Sequence, residues 1–289
     1  MSSLLPDLSG KQRGIRQNQL IRILYLQKDA MWLIMFSMNL KNVTDWLDRE
    51  LDIDSFKKLD ASLNGLQISA VHEEVSLVAF AVDACKESLE RAAALGADML
   101  FVHHGLFWGA PIAITDIHYD RVSCALKNDL ALYAAHLPLD AHPVFGNNAA
   151  MAERLKLQDI EPFGLYHGVE IGYAGRLAEP MTLQEIRSIL GFSIDSTMLS
   201  FGNAQEISTV AIVSGGAASS VSEAIDKSID LYITGEALHQ VYHQCQESRI
   251  NFLAGGHYAT EVFGPVALAS HMKKELGIET RFIDIPTGL

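Results

Sequence analysis

Three short clusters in this chain carry residue types that bind metal or move protons: His103-His104, His136-Leu137-Pro138-Leu139-Asp140 and His257-Tyr258-Ala259-Thr260-Glu261. Two adjacent imidazoles in a loop can each address a different ion of a close metal pair. Residues four apart on a helix are offset by only about 40°, so His257 and Glu261 share a face if that segment is helical. Each cluster has an ordinary reading when taken alone. Surface loops carry histidines without function, Glu261 suits the dipole of a helix start, and Asp140 between two prolines suits a cap. That reading leaves His257 without a role. Converged, the clusters supply four imidazoles and two carboxylates. This donor set suits zinc, iron, manganese or nickel, lacks the thiolates of a structural zinc site and is too rich in nitrogen for calcium.

Each cluster directly follows an apolar run of strand length. Ser76–Val82 reads as a buried strand, Glu87–Leu95 as a helix closed by Gly96, and Asp98–Val102 as a second strand ending at His103. That order is a βαβ unit, which favours parallel pairing with a right-handed crossover. Helix 121–127, strand 130–135 and helix 148–155 continue the pattern. In the second half, strand 210–213 ends in Ser214-Gly215-Gly216, and helix 221–228, strand 231–234 and strand 251–254 follow. A helix over 260–276 and a strand over 280–284 close the chain, and 42–51 reads as an amphipathic helix. The chain is therefore expected to be α/β, with two halves of similar texture that suggest a duplication. Ligands in open α/β sheets bind at the carboxyl ends of strands, where the three clusters fall.

Weaker candidates receive structural readings. His239 and His243 are four apart, but 236–245 reads as an ordinary solvated helix. Gly215-Gly216 can approach a phosphate, yet a Gly-Gly turn between strand and helix is common. The P-loop, dinucleotide-binding and nucleophile-elbow motifs are absent from the sequence.

Composition sets the surroundings. The 289 residues carry 35 acidic and 22 basic side chains, a net charge of −13, which argues against a nucleic-acid coat. At 49% apolar and 20% charged the chain can bury a core. Three well-separated cysteines against 11 histidines exclude a disulfide framework and point to a reducing cytoplasm. Residues 1–37 differ from the rest, with five basic and two acidic side chains ahead of a short apolar run that is well below the roughly 20 residues of a membrane span. The folded protein is expected to begin near Met38, with 1–37 an extension outside the fold. From Met38 on, 17 basic residues face 33 acidic ones, so the body is more acidic than the whole chain.

Five motifs occur in order: Asn64-Gly65-Leu66-Gln67, Gly96-Ala97-Asp98 leading to His103-His104-Gly105, His136 to Ala141, Thr234-Gly235-Glu236 and Gly256 to Glu261. From about Met38 to the C-terminus the chain thereby resembles the Nif-three-like dinuclear-metal-centre family, the GTP cyclohydrolase I type 2 homologues. The resemblance implies two interlinked α/β lobes, with a boundary near residue 165 and a C-terminal segment that returns to the site. It also implies two divalent ions per subunit, held by His103, His104, Asp140, His257 and Glu261, with Glu261 bridging. His136 would sit beside them as a supporting or proton-transferring residue, and the assembly would be a ring-shaped homohexamer. Two divalent ions with these carboxylates and one hydroxide leave a core charge of about +1, suited to a small anionic ligand. Metal-dependent hydrolysis of a phosphorylated or nucleotide-like molecule is the leading expectation, since a metal ion lowers the pKa of water to about 7. The competing expectation is a metal-handling or scaffolding hexamer without turnover. A membrane partner is not expected, nor is nucleic acid.

Overall fold

The structure, a computed structural model, describes residues 19–24 and 33–289. In chain order the strands are β1 (Gln19–Leu24), β2 (Leu33–Asn39), β3 (Gly65–Ile68), β4 (Glu74–Val75), β5 (Leu77–Asp83), β6 (Met99–His104) and β7 (Ala131–Ala134). They continue as β8 (Gln158–Tyr166), β9 (Val169–Met181), β10 (Thr197–Ser200), β11 (Ile207–Ile212), β12 (Leu231–Thr234), β13 (Asn251–Ala254) and β14 (Glu279–Phe282). One lobe holds a sheet of order β14-β5-β6-β7-β3 and the other a sheet of order β10-β13-β12-β11-β9-β8. In each lobe the expected parallel core is present: β5, β6 and β7 in the first, β11, β12 and β13 in the second. The fold is α/β.

The first sheet is buried on both faces, which explains why its strands read as unbroken apolar runs. Along β5, Val78 and Phe80 pack with Leu47 and Met272, while Ala79 and Ala81 turn to Leu89 and Ala92. Along β12, Tyr232 packs against Phe163 and Phe252, while Leu231 and Ile233 face Ile186 and Leu190. The two lobes share a local device. Asp98, just before β6, accepts hydrogen bonds from Ser76 N, Ser76 Oγ and Leu77 N at 2.7–3.0 Å. Asp230, just before β12, does the same with Ser208 N, Thr209 N and Thr209 Oγ1 at 2.9–3.0 Å. One carboxylate thus pins the start of the neighbouring strand in each lobe, as a duplication would leave it.

The lobes interlock through the chain end. The helix Phe263–Leu276 packs into the core of the first lobe, and β14 pairs in parallel with β5 at the edge of its sheet. The sequence left 156–209 unassigned; it holds the long antiparallel pair β8–β9, the helix Leu183–Leu190 and β10. The helix Leu183–Leu190 carries a capping box from Thr182 and Glu185, a signal the apolar pattern alone did not single out. The expected helix over 236–245 is corrected to Val241–Ser248. Gly235 N and Glu236 N both donate to Gly215 O, so the chain leaves β12 as a tight loop. The expected helix over 260–276 is divided at Val262 into His257–Glu261 and Phe263–Leu276.

Most of the expected extension, residues 1–18 and 25–32, lies outside the described residues. Its described part forms the antiparallel pair β1–β2, and β2 continues through Met38 to pair with β4. No helix among the described residues is long and apolar enough to cross a membrane.

Candidate metal centre

The carboxyl ends of the parallel strands from both sheets meet at one place. β5 ends there in Asp83 and β6 in His103-His104, and β7 leads to His136 and the short helix Leu137–Asp140. From the other lobe, β11 leads to Ser214-Gly215, β12 to Glu236, and β13 through Gly255-Gly256 to the helix His257–Glu261. Gly256 has φ +107, and this glycine conformation turns the strand directly into the helix that carries His257 and Glu261.

Glu261 stands at the centre. Its Oε1 lies 3.5 Å from His103 Nε2, which is also 3.5 Å from Asp140 Oδ2. Its Oε2 lies 3.2 Å from both His104 Nε2 and His257 Nε2. Two groups that can hold a metal ion result, His103/Asp140/Glu261 and His104/His257/Glu261, with ligand atoms within 4.8 Å of one another in each. A third group joins His136 to His103 and His104. The structure therefore brings all six sequence-predicted residues together, and Glu261 belongs to two of the groups.

The far nitrogen of each ring is fixed. Nδ1 of His103 faces Ala135 O at 3.0 Å, that of His104 faces Asp83 Oδ1 at 2.9 Å, that of His136 faces Asp60 Oδ1 at 3.0 Å and that of His257 faces Glu236 Oε1 at 2.6 Å. All four partners accept hydrogen bonds, so each Nδ1 carries the proton and a neutral ring leaves its Nε2 as a lone pair. His103 Nε2 and Glu261 Oε2 are buried and have no hydrogen-bond partner. With neutral rings the 3.2 and 3.5 Å separations set acceptor against acceptor, so each gap takes either a proton on Nε2 or a metal ion.

The electrostatics agree. Burial opposes a charge on His103, but Asp140 and Glu261 outweigh it and push its pKa up to about 9. His257 is also pushed up to about 9, first by the Glu261 carboxylate 3.2 Å from its Nε2, against burial and with help from Glu236. Burial raises Glu261, yet His103, His257 and His104 together hold it well below the usual carboxylate range. The site calls for positive charge between these groups, and the donor set fits a divalent cation.

Four supporting residues were not singled out from the sequence: Asp60, Asp83, Asn147 and Ser214. Asp83 was open to the strand-end rule that found His103, whereas Asp60 is a single carboxylate in a turn with no local signal. Gly215, read as a turn or phosphate approach, has a different reason to be glycine. A Cβ there would meet Glu261 Oε1 at 2.3 Å.

The family model for Duf34/NIF3 (NGG1p interacting factor 3) matches residues 38–288. Among curated relatives, the GTP cyclohydrolase 1 type 2 homolog of Archaeoglobus fulgidus is 45% identical over 252 residues, covering 87% of this chain and 100% of the relative. The protein of the same name from Deinococcus radiodurans is 44% identical over 245 residues, covering 84% of this chain and 92% of the relative. The crystal structure of TTHA1606 from Thermus thermophilus superposes with a TM-score of 0.80 at 37% identity, over 87% of this chain and 100% of that one. With its sequence matched from Met38 almost to the end and its lobes superposed on a relative, this chain belongs to the Duf34/NIF3 family.

Proposed function

We propose that the protein holds two divalent metal ions and is a hydrolase acting on a phosphorylated or nucleotide-like small molecule. The observation that carries this reading is the two-sided presentation of Glu261, one oxygen toward His103 and Asp140 and the other toward His104 and His257. Zinc, iron, manganese and nickel suit this donor set. A bound pair would supply Lewis acidity and lower the pKa of a water to about 7. The chain's own contribution is orientation. Ala135 O, Asp83 and Glu236 fix the three ligand rings, and Asp60 fixes His136 beside them in a place to take or give a proton. The position formed by His104 and His257 is partly open, whereas His103 is fully buried, so an anionic ligand enters from the His104 side. The name GTP cyclohydrolase 1 type 2 homolog carried by the relatives supports a nucleotide-like substrate.

The same reading includes a cytoplasmic homohexamer. An exposed apolar stretch with Ile112, Ile114, Ile117 and Tyr119 is suited to burial between subunits. Light scattering on the purified protein measures the assembly. The activity test is metal-loaded protein against a panel of nucleotides and phosphoesters, with His104→Ala as control. Turnover that His104→Ala abolishes supports the hydrolase. Turnover unaffected by that substitution overturns the mechanism, and tight metal retention without turnover favours a metal-handling role instead.

A further inference from the structure

Asn147 and Asn148 open the helix Asn147–Arg154, and both are fully buried. Asn147 Nδ2 donates to Asp140 Oδ1 at 2.9 Å, while its Oδ1 accepts from Gly264 N at 2.6 Å. Gly264 lies three residues beyond Glu261, at the start of the helix Phe263–Leu276. One side-chain amide therefore connects the strand-end loop that carries Asp140 to the segment that carries Glu261. Ser214 Oγ also donates to Asp140 Oδ1, at 2.8 Å, so that oxygen is saturated and Oδ2 is left to face His103. The fit at Gly264 is close. A Cβ there would meet Asn147 Oδ1 at 2.7 Å and Leu139 Cγ at 2.9 Å. The other position depends on different supports, Asp83 for His104 and Glu236 for His257, neither of which touches Asn147.

We propose that Asn147 is a positioning residue for one ion only: it sets the spacing of Asp140 from Glu261 and so determines the affinity of the His103/Asp140/Glu261 position. This rests on the dinuclear reading above. A buried amide that orients a ligand carboxylate acts on the ion through that ligand, and loss of such a support weakens metal binding by about 10–100-fold. The shared Glu261 keeps its Oε2 toward His104 and His257, so the second position survives.

The test is equilibrium dialysis with Co(II) alone, combined with visible absorption of the bound ion, on the full chain as wild type, Asn147→Leu, Gly264→Ala and His257→Ala. Gly264→Ala displaces the amide without changing it and decides the matter if Asn147→Leu does not fold. The expected result is two ions per wild-type chain, one of them weakened about 10–100-fold in Asn147→Leu and Gly264→Ala. Adding His257→Ala to either variant is expected to abolish the remaining tight ion and its absorption bands. Two ions at wild-type affinity in both variants would overturn the role of Asn147 and leave the dinuclear centre standing. Equal weakening of both ions would also overturn it, because the residue would then support the fold in general. A wild-type chain that takes up no ion would overturn the dinuclear reading itself, and this inference with it.

Discussion

Tyr258 Oη donates to Asp284 Oδ1 at 2.8 Å and also accepts from Ile285 N at 2.7 Å, which ties the helix of one lobe to the sheet edge of the other. Tyr258 follows His257 on that helix, whereas Asp284 follows β14, the neighbour of the β5 strand that ends in Asp83. The phenol thereby links the element that places His257 to the one that holds His104. Burial pushes its pKa upward, so it remains a donor at neutral pH. Tyr258→Phe is expected to cost about 1 kcal/mol from the lost bonds. That lowers the melting temperature by about 2–4 °C in a chain of this size. Metal affinity should fall with it. Thermal melts and metal titration measure both, and a variant identical to wild type in each would show that the hydroxyl does not join the lobes.

Asp60 gives the clearest pH dependence. Its carboxylate accepts from Ser62 N, Asn64 Nδ2, Leu137 N and His136 Nδ1 at 2.9–3.0 Å. Burial works to raise its pKa, but the His136 bond and charge, with the Asn64 and Ser62 bonds, hold it down to about 2 from an ordinary 3.8. A carboxylate with a depressed folded pKa contributes stability that is present above the unfolded value. It is lost as pH falls from 3.8 through about 2, and amounts to about 2 kcal/mol. Asp60→Asn should lose that amount at neutral pH and show a flatter stability curve below pH 4. Denaturant unfolding across this range reads the slopes, and equal acid slopes in the two proteins would reject the assignment.

Much of this centre was open to inference from the sequence because the groups doing chemistry follow apolar strands. β5, β6, β7, β12 and β13 are short and buried on both faces, so their ends could be read from hydropathy; His103 and His104 are the last two residues of β6, and His136 and His257 lie just past the ends of β7 and β13. The β8–β9 pair was not readable in the same way. β8 is mostly exposed, and its partner β9 shows neither a continuous apolar run nor strict alternation. Asp60 and Asn147 escaped for another reason. Their roles come from contacts 76 and 117 residues away in sequence, to His136 and to Gly264, and nothing local to either residue encodes them.

Gly215 is the position where the smallest change should have the largest effect on the site. Its φ is +64, and a Cβ would stand 2.3 Å from Glu261 Oε1 and 3.4 Å from His257 Nε2. Its carbonyl also receives Gly235 N, Glu236 N and Thr234 Oγ1, so the backbone cannot readily move away. Gly215→Ala therefore adds left-handed strain of about 1 kcal/mol and displaces the shared carboxylate. In contrast to Asn147→Leu, it is expected to weaken both ions together. Co(II) stoichiometry distinguishes the two patterns, and undiminished binding of either ion in Gly215→Ala would contradict the shared role of Glu261.

Metal removal should be visible as lost stability, because the ligand groups belong to the folded state and are separated in the unfolded chain. A ligand at about 100 times its Kd adds about 2.7 kcal/mol, which for a chain of this size corresponds to roughly 5–10 °C. Addition of a chelator to metal-loaded protein is expected to lower the melting temperature by that amount, and restoring the ion should reverse it. Trp108 offers a second readout, since its ring lies 4.8 Å from that of His136 and 6.0 Å from that of His104. Co(II) should quench its emission in wild type and leave Trp108→Phe much less affected. Glu261→Gln removes the charge common to both positions, so its melting temperature should respond little to chelator. A chelator shift as large in Glu261→Gln as in wild type would place the stabilising ions elsewhere on the protein.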